Sequence, residues 1–180
     1  MTALELNVAD NGARLGMKGP RAAEWLTSQD LVLPVAPNTW SHSPGAGREH
    51  VLVARLGQSE FFLQFDVAGS AFRGLSSALA QSPSGVYPVL REDFAFMLGG
   101  AAVHEALAQV CNVNFAALEL GPQPVIMTLM IGVAVLVVPE EIAGARRYRV
   151  WCDPTFGPSL SETLGAVIVE SGGIIRGVSE

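Results

Sequence analysis

Apolar and polar residues alternate through residues 4–8 and again through 13–18, a period of two that predicts two strands. Asp10-Asn11-Gly12 between them has the chemistry of a tight hairpin turn. Gly19-Pro20 then opens a predicted helix to about Gln29, because a proline at a first helical position gives up no hydrogen bond. Ala22, Ala23, Trp25 and Leu26 form its apolar face. Pro34, Pro37 and Pro44 make residues 31–47 read as a loop. Val51–Leu56 and Glu60–Phe65 predict a hairpin around Gly57-Gln58-Ser59, followed by a short helix over 69–80. The order then starts again: a strand region Val86–Leu98, a helix from Ala101 to about Cys111, a hairpin within 125–138, a strand Tyr148–Cys152, and a helix from about Thr155 to Glu170.

The second series echoes the first in its residues. ARLGMKGPRAAEWL (13–26) recurs in pattern as FAFMLGGAAVHEAL (94–107), with Gly19 on Gly100, Glu24 on Glu105 and Leu26 on Leu107. Leu15 and Met17 fall on Phe96 and Leu98. Further on, FFLQFD (61–66) matches YRVWCD (148–153), so Asp66 and Asp153 each end a strand ahead of a helix, where an aspartate is expected to cap. Strand, helix, hairpin, strand, helix, given twice, predicts an α+β fold of two duplicated ferredoxin-like halves, about 4–82 and 86–170, within one domain spanning 1–180. A doubly wound parallel sheet is the alternative, but GMKGP lacks the G-x-G-x-x-G context of a dinucleotide site.

Residues 125–138, VIMTLMIGVAVLVV, are apolar enough to raise a membrane span. They give fourteen residues between Pro124 and Pro139 where a spanning helix needs about twenty, and their Val/Ile content with Gly132 reads as a buried hairpin. The chain is 49% hydrophobic and only 16% charged, which fits either a well-filled core or a surface destined for a partner. Its formal charge of −6 and single lysine, Lys18, argue against nucleic acid and against a membrane surface. Cys111 and Cys152 lie apart and outside any metal-ligand spacing, as expected of buried thiols in a reducing cytoplasm. The N-terminus has neither the basic nor the apolar region of a signal peptide.

Reactive chemistry is sparse in the pattern. His42 and His50 stand in the Ser/Pro/Gly-rich loop and His104 on a helix, without a third zinc ligand at short spacing. No G-x-S-x-G elbow occurs, and Cys111 closes its helix at the end where the dipole disfavours a thiolate. Arg91-Glu92-Asp93 is the concentrated charge cluster beside a predicted core strand. In an extended segment Arg91 and Asp93 share a face, where they would clamp a carboxylate or a pterin, or else form a surface ion pair. Trp25, Trp40 and Trp151 suit core, interface or stacking, with Trp151 placed in a core strand.

The runs RLGMKGPRAAEWL, LVARLGQSEFFLQ and VYPVLREDFAFMLGGAAVHEALAQVCNVNF, continued by VIMTLMIGVAVLVV and YRVWCDPTFGPSLSETL, resemble the gamma subunit of heterotetrameric sarcosine oxidase over about residues 13–165. The matching positions are Leu56–Glu60 at a turn, Gly99-Gly100-Ala101 through Leu107 on a helix with its exit at Cys111–Phe115, and Trp151–Leu164. That family is similar to the folate-binding domain of aminomethyltransferases, including the T protein of glycine cleavage. The resemblance implies a folate-binding-domain-like fold and an accessory, non-catalytic place in an oxidase complex of one-carbon metabolism, with alpha, beta and delta subunits as partners and flavin held by them. The folate-dependent relatives carry a Lys-Gly-Cys/Tyr-rich loop and a pterin-anchoring carboxylate that have no counterpart here, so no catalytic or folate residue is carried over. Two alternatives stand beside this expectation: a stand-alone domain that binds tetrahydrofolate or transfers aminomethyl groups, and a homo-oligomeric scaffold.

Overall fold

β1 (Glu5–Asn7) and β2 (Ala13–Lys18) do not form the hairpin that the intervening turn residues predict; they lie in different sheets. The computed structural model describes residues 4–8, 12–44 and 50–177, so Asp10 and Asn11 of that turn lie outside the described residues. Leu4 and Leu6 explain the outcome. Both are buried, and β1 pairs antiparallel with a distant strand through Leu6↔Leu98. A turn signal is local, whereas the partner of a strand is decided by where its apolar side chains find a core. The chain accordingly divides into two compact units, Asn11–Arg91 and Met1–Asp10 with Glu92–Glu180.

In the unit Asn11–Arg91, β2 leads to α1 (Ala22–Ser28), then β3 (Thr39–Pro44), β4 (His50–Arg55), β5 (Glu60–Phe65), α2 (Ser70–Ala80) and β6 (Tyr87–Val89). The sheet order is β3-β4-β5-β2-β6, antiparallel throughout. One face carries Met17, Phe61, Leu63, Phe65, Val51 and Val53, which pack with Ala22 and Leu26 of α1 and Leu75 and Leu79 of α2. Each large side chain fully removed from water there contributes about 1.5–3 kcal/mol. β3 corrects the reading of 31–47 as loop only: Ser43 is fully buried and its Oγ accepts the Val32 N–H at 2.9 Å, so a polar strand is tied down by hydrogen bonds that an apolar pattern does not announce. The proline-bearing approach to it is held by Arg55, whose guanidinium donates to the Val35 carbonyl at 2.7 Å and the Gln58 carbonyl at 3.0 Å.

The other unit adds β7 (Phe94–Gly99), α3 (Val103–Val110), a 3-10 turn (Phe115–Ala117), β8 (Ile126–Met130), β9 (Val133–Ile142), β10 (Ala145–Cys152), α4 (Gly157–Glu170) and β11 (Ile174–Arg176). Its sheet runs β11-β1-β7-β10-β9-β8. Leu6, Phe96, Leu98, Val135, Val137, Tyr148 and Val150 face Val103, Ala106 and Leu107 of α3 and Leu160, Leu164 and Ile168 of α4. The apolar run 125–138 is the β8–β9 hairpin, turning at Ile131 (φ 51°) and Gly132 (φ 79°). No helix among the described residues is long and apolar enough to cross a membrane. The strand region read over 86–98 is two strands, β6 and β7, in separate sheets, and β11 was not foreseen.

The echoing residues take equivalent places in the two units. Gly19 follows β2 and Gly100 follows β7, at φ 135° and 106°, and each carbonyl accepts the N–H three residues on, from Ala22 at 3.1 Å and Val103 at 3.2 Å. Glu24 and Glu105 lie in the first turns of α1 and α3, while Leu26 and Leu107 are buried. A Cβ on Gly19 would come within 2.3 Å of the Gly85 carbonyl oxygen. Gly19→Ala is therefore expected to lower the unfolding free energy by about 2 kcal/mol or more, from strain plus collision, read as a fall in the urea midpoint.

Candidate functional site

Arg91 does not share a strand face with Asp93. Residues 90–93 have no strand backbone, and the boundary between the units falls between Arg91 and Glu92. Leu90–Asp93 connects two sheets instead of extending one, so the alternation of a strand does not apply to it. Arg91 lies over its own sheet: its Nη2 is 3.3 Å from Glu60 Oε1, its guanidinium carbon is 5.3 Å from the Phe62 ring centre, and its stem lies where a side chain on Gly16 would otherwise go. Phe62 and Gly16 are register partners, so the glycine leaves a shallow bed across which the arginine lies on an aromatic face. Asp93 belongs with the other unit, beside the end of β10. There burial, Asp153 and Asp93 together push the Cys152 thiol up to about 11, leaving it an unreactive apolar filler.

Asp153 works one step away from its expected role. The N-cap of α4 is Phe156, and Asp153 Oδ1 instead accepts the Thr155 N–H at 2.8 Å and its hydroxyl, bonds that hold its carboxyl below the usual range. The N-cap of α2 is Gly69, three residues beyond Asp66.

The histidines are placed by pairings that the sequence did not announce. β3–β4 pairing (His42↔Leu52, Pro44↔His50) brings His42 and His50 to 6.4 Å between ring centres, with Trp40 edge-on to His42 at 5.1 Å. No group of three or more His, Cys, Asp or Glu among the described residues could hold a metal. His104 of α3 meets Tyr148 of β10 with Nε2 2.7 Å from the phenolic oxygen. Arg146, two residues earlier on the same face of β10, donates to the Phe115 carbonyl at 3.3 Å. Burial first and Arg146 second hold His104 below its ordinary pKa, and Glu105 opposes them weakly. Burial raises the Tyr148 pKa. The three side chains form a polar cluster at a core edge, joining helix, strand and 3-10 turn; no spacing rule in the sequence relates residues 104, 146 and 148.

Within the unit Asn11–Arg91 there is also a cavity of about 420 Å³ between α2, the exit of α1 and the strands below. Its floor is Val51, Phe65 and Leu75, and its lip carries Gln29, Asp30 and Ser70.

No protein-family model and no curated protein matches this chain in sequence. Solved structures do match. A chain of the heterotetrameric sarcosine oxidase from Corynebacterium sp. U-96, a structure in complex with pyrrole 2-carboxylate, superposes with a TM-score of 0.73 at 21% identity, over 95% of this chain and 86% of that one. The glycine cleavage system aminomethyltransferase T from Bartonella henselae gives 0.71 at 16% identity, over 98% of this chain and 48% of that one. The fold is shared with both. This chain spans about half the length of the transferase. At such identities the likeness concerns architecture, mixed α and β; among the described residues this chain has two sheets and four helices.

The His104–Tyr148 pair makes stability depend on pH with a definite sign. The native imidazole binds a proton less readily than the unfolded one, so the unfolded state gains protons first as pH falls through about 6.5. The urea midpoint is expected to drop between pH 7.5 and 5.5, and to drop less in His104→Gln. Tyr148→Phe, which removes only the phenolic oxygen, is expected to cost about 1 kcal/mol at pH 7.5.

Proposed function

We propose that this chain is an accessory, non-catalytic subunit of a sarcosine-oxidase-like complex, serving oxidative demethylation in folate-linked one-carbon metabolism. The observation that carries the reading is the match over 95% of this chain and 86% of a sarcosine oxidase chain, against 48% of the transferase. The sequence resemblance over 13–165 points the same way. In this reading the partners are alpha-, beta- and delta-type subunits, flavin belongs to them, and the complex works in the cytoplasm.

The proposal extends to the fold. β2-α1-β4-β5-α2-β6, with sheet order β4-β5-β2-β6, is the connectivity of a ferredoxin-like half carrying β3 as an added edge strand. In the other unit β7-α3-β9-β10-α4 repeats that path, β8 takes the edge place of β3, and β1 takes the place of β6. A duplication with its last strand drawn from the N-terminus accounts for both orders.

The transferase likeness supports a second reading, in which the chain binds tetrahydrofolate, with Arg91 as the anion ligand. It is the weaker of the two because Arg91 already pairs with Glu60.

Co-expression with the flavin-bearing subunits of the same complex separates these readings. The expected result is co-elution of this chain with the flavin absorbance in gel filtration. A chain that elutes alone as a monomer, with those subunits present and folded, overturns the accessory role. Heat and thermal stabilisation on adding tetrahydrofolate to the isolated chain would favour the second reading.

A further inference from the structure

We propose that the cavity against α2 is a binding site for a small organic ammonium ion with a compact apolar or aromatic body. The cavity lies wholly within the unit Asn11–Arg91, and its volume of about 420 Å³ falls in the range of small-molecule sites, about 300–1,000 Å³.

Three features of the site fix the ligand class. The floor is apolar and well anchored: Val51, Phe65 and Leu75 belong to the core, and Phe65 is held edge-on by Phe72 at 5.5 Å between ring centres. An apolar body placed on that floor leaves water without costing the protein a hydrogen bond. The wall is open by virtue of its sequence. Gly74 sits midway along α2, where glycine is the poorest helix former after proline, and a Cβ there would meet nothing within 4 Å. No close packing calls for a glycine at this position, and Gly74 lines the cavity, where a larger side chain would take up room. The lip is acidic. Among the described lining residues Asp30 is the one ionisable side chain, and it follows the C-cap of α1, the end at which a helix presents partial negative charge. A cationic head at Asp30 with its body on Phe65 satisfies both ends, whereas an anion would meet like charge.

The test uses the full chain and three probes of one shape: benzylammonium, benzyl alcohol and benzoate. The expected result is saturable amide shifts at Ala71 and Gly74 with benzylammonium at millimolar concentrations. The alcohol should bind roughly two- to fivefold more weakly, as a solvent-exposed ion pair allows, and benzoate more weakly still. Asp30→Asn should reduce benzylammonium to the affinity of the alcohol. Gly74→Leu should abolish binding of all three. Gly74→Ala, with its added methyl in open space, should fold, melt no lower than the wild type and still bind benzylammonium, and Asp30→Asn tests the site even if the leucine variant misfolds. No saturable shift with benzylammonium overturns the site. Equal or tighter benzoate binding overturns the charge assignment, and undiminished binding to folded Gly74→Leu overturns the location.

Discussion

Two glycine turns set the course of everything that follows them. At Gly19 and Gly100 the chain leaves a strand with φ above 100° and enters a helix within three residues. An L side chain rarely adopts that backbone, and at Gly19 the approach of the Gly85 carbonyl closes the space a Cβ would need. The turn decides which side of the sheet α1 or α3 will cover, and with it which alternate residues of the strand become core. Met17 and Leu98, two positions before the glycines, are buried for that reason. Leu26 and Leu107, seven residues after, complete each contact from the helix side.

This is why the fold was largely legible and its strand pairing was not. Glycine, an acidic first turn and an apolar period are all written as letters, at Gly19, Glu24 and Leu26 and again at Gly100, Glu105 and Leu107. The hairpins Val51–Leu56/Glu60–Phe65 and 125–138 were equally legible, because both partners are adjacent in sequence. The partner of β1 was not, since Leu6↔Leu98 spans the chain and the competing signal, Asp10-Asn11-Gly12, was local. β3 escaped notice because Ser41 and Ser43 hold it through the Val32 carbonyl and amide, and serine reads as loop.

The candidate chemistry followed the same divide. Arg91 was found from its charge, but its neighbours Glu60, Phe62 and Gly16 come from β5 and β2, and only pairing across the sheet assembles them. The His104–Tyr148–Arg146 cluster and the His42–His50 approach are likewise products of register. In each case the residue types were visible and the geometry that gives them meaning was long-range.

The arginines explain how so apolar a chain holds its irregular segments. Arg55 donates to the carbonyls of Val35 and Gln58, and Arg146 to Phe115. Arg91 meets Glu60, and Arg149 faces the nearly buried Glu140 at 3.4 Å. Guanidinium suits these tasks because its five donors reach several acceptors at once and it stays charged when partly buried, whereas a lysine is a point charge with a large hydration cost. Ten arginines to one lysine is the composition such a use produces. The cations that might have formed a patch for a polyanion are in several cases turned inward to hold loops and sheet faces. What remains outside is weakly charged and partly apolar, with Met127, Leu129 and Ile131 exposed along and beyond β8. Recognition by such a surface rests on shape and apolar area more than on charge, which is the physical content of the proposed place among partner subunits.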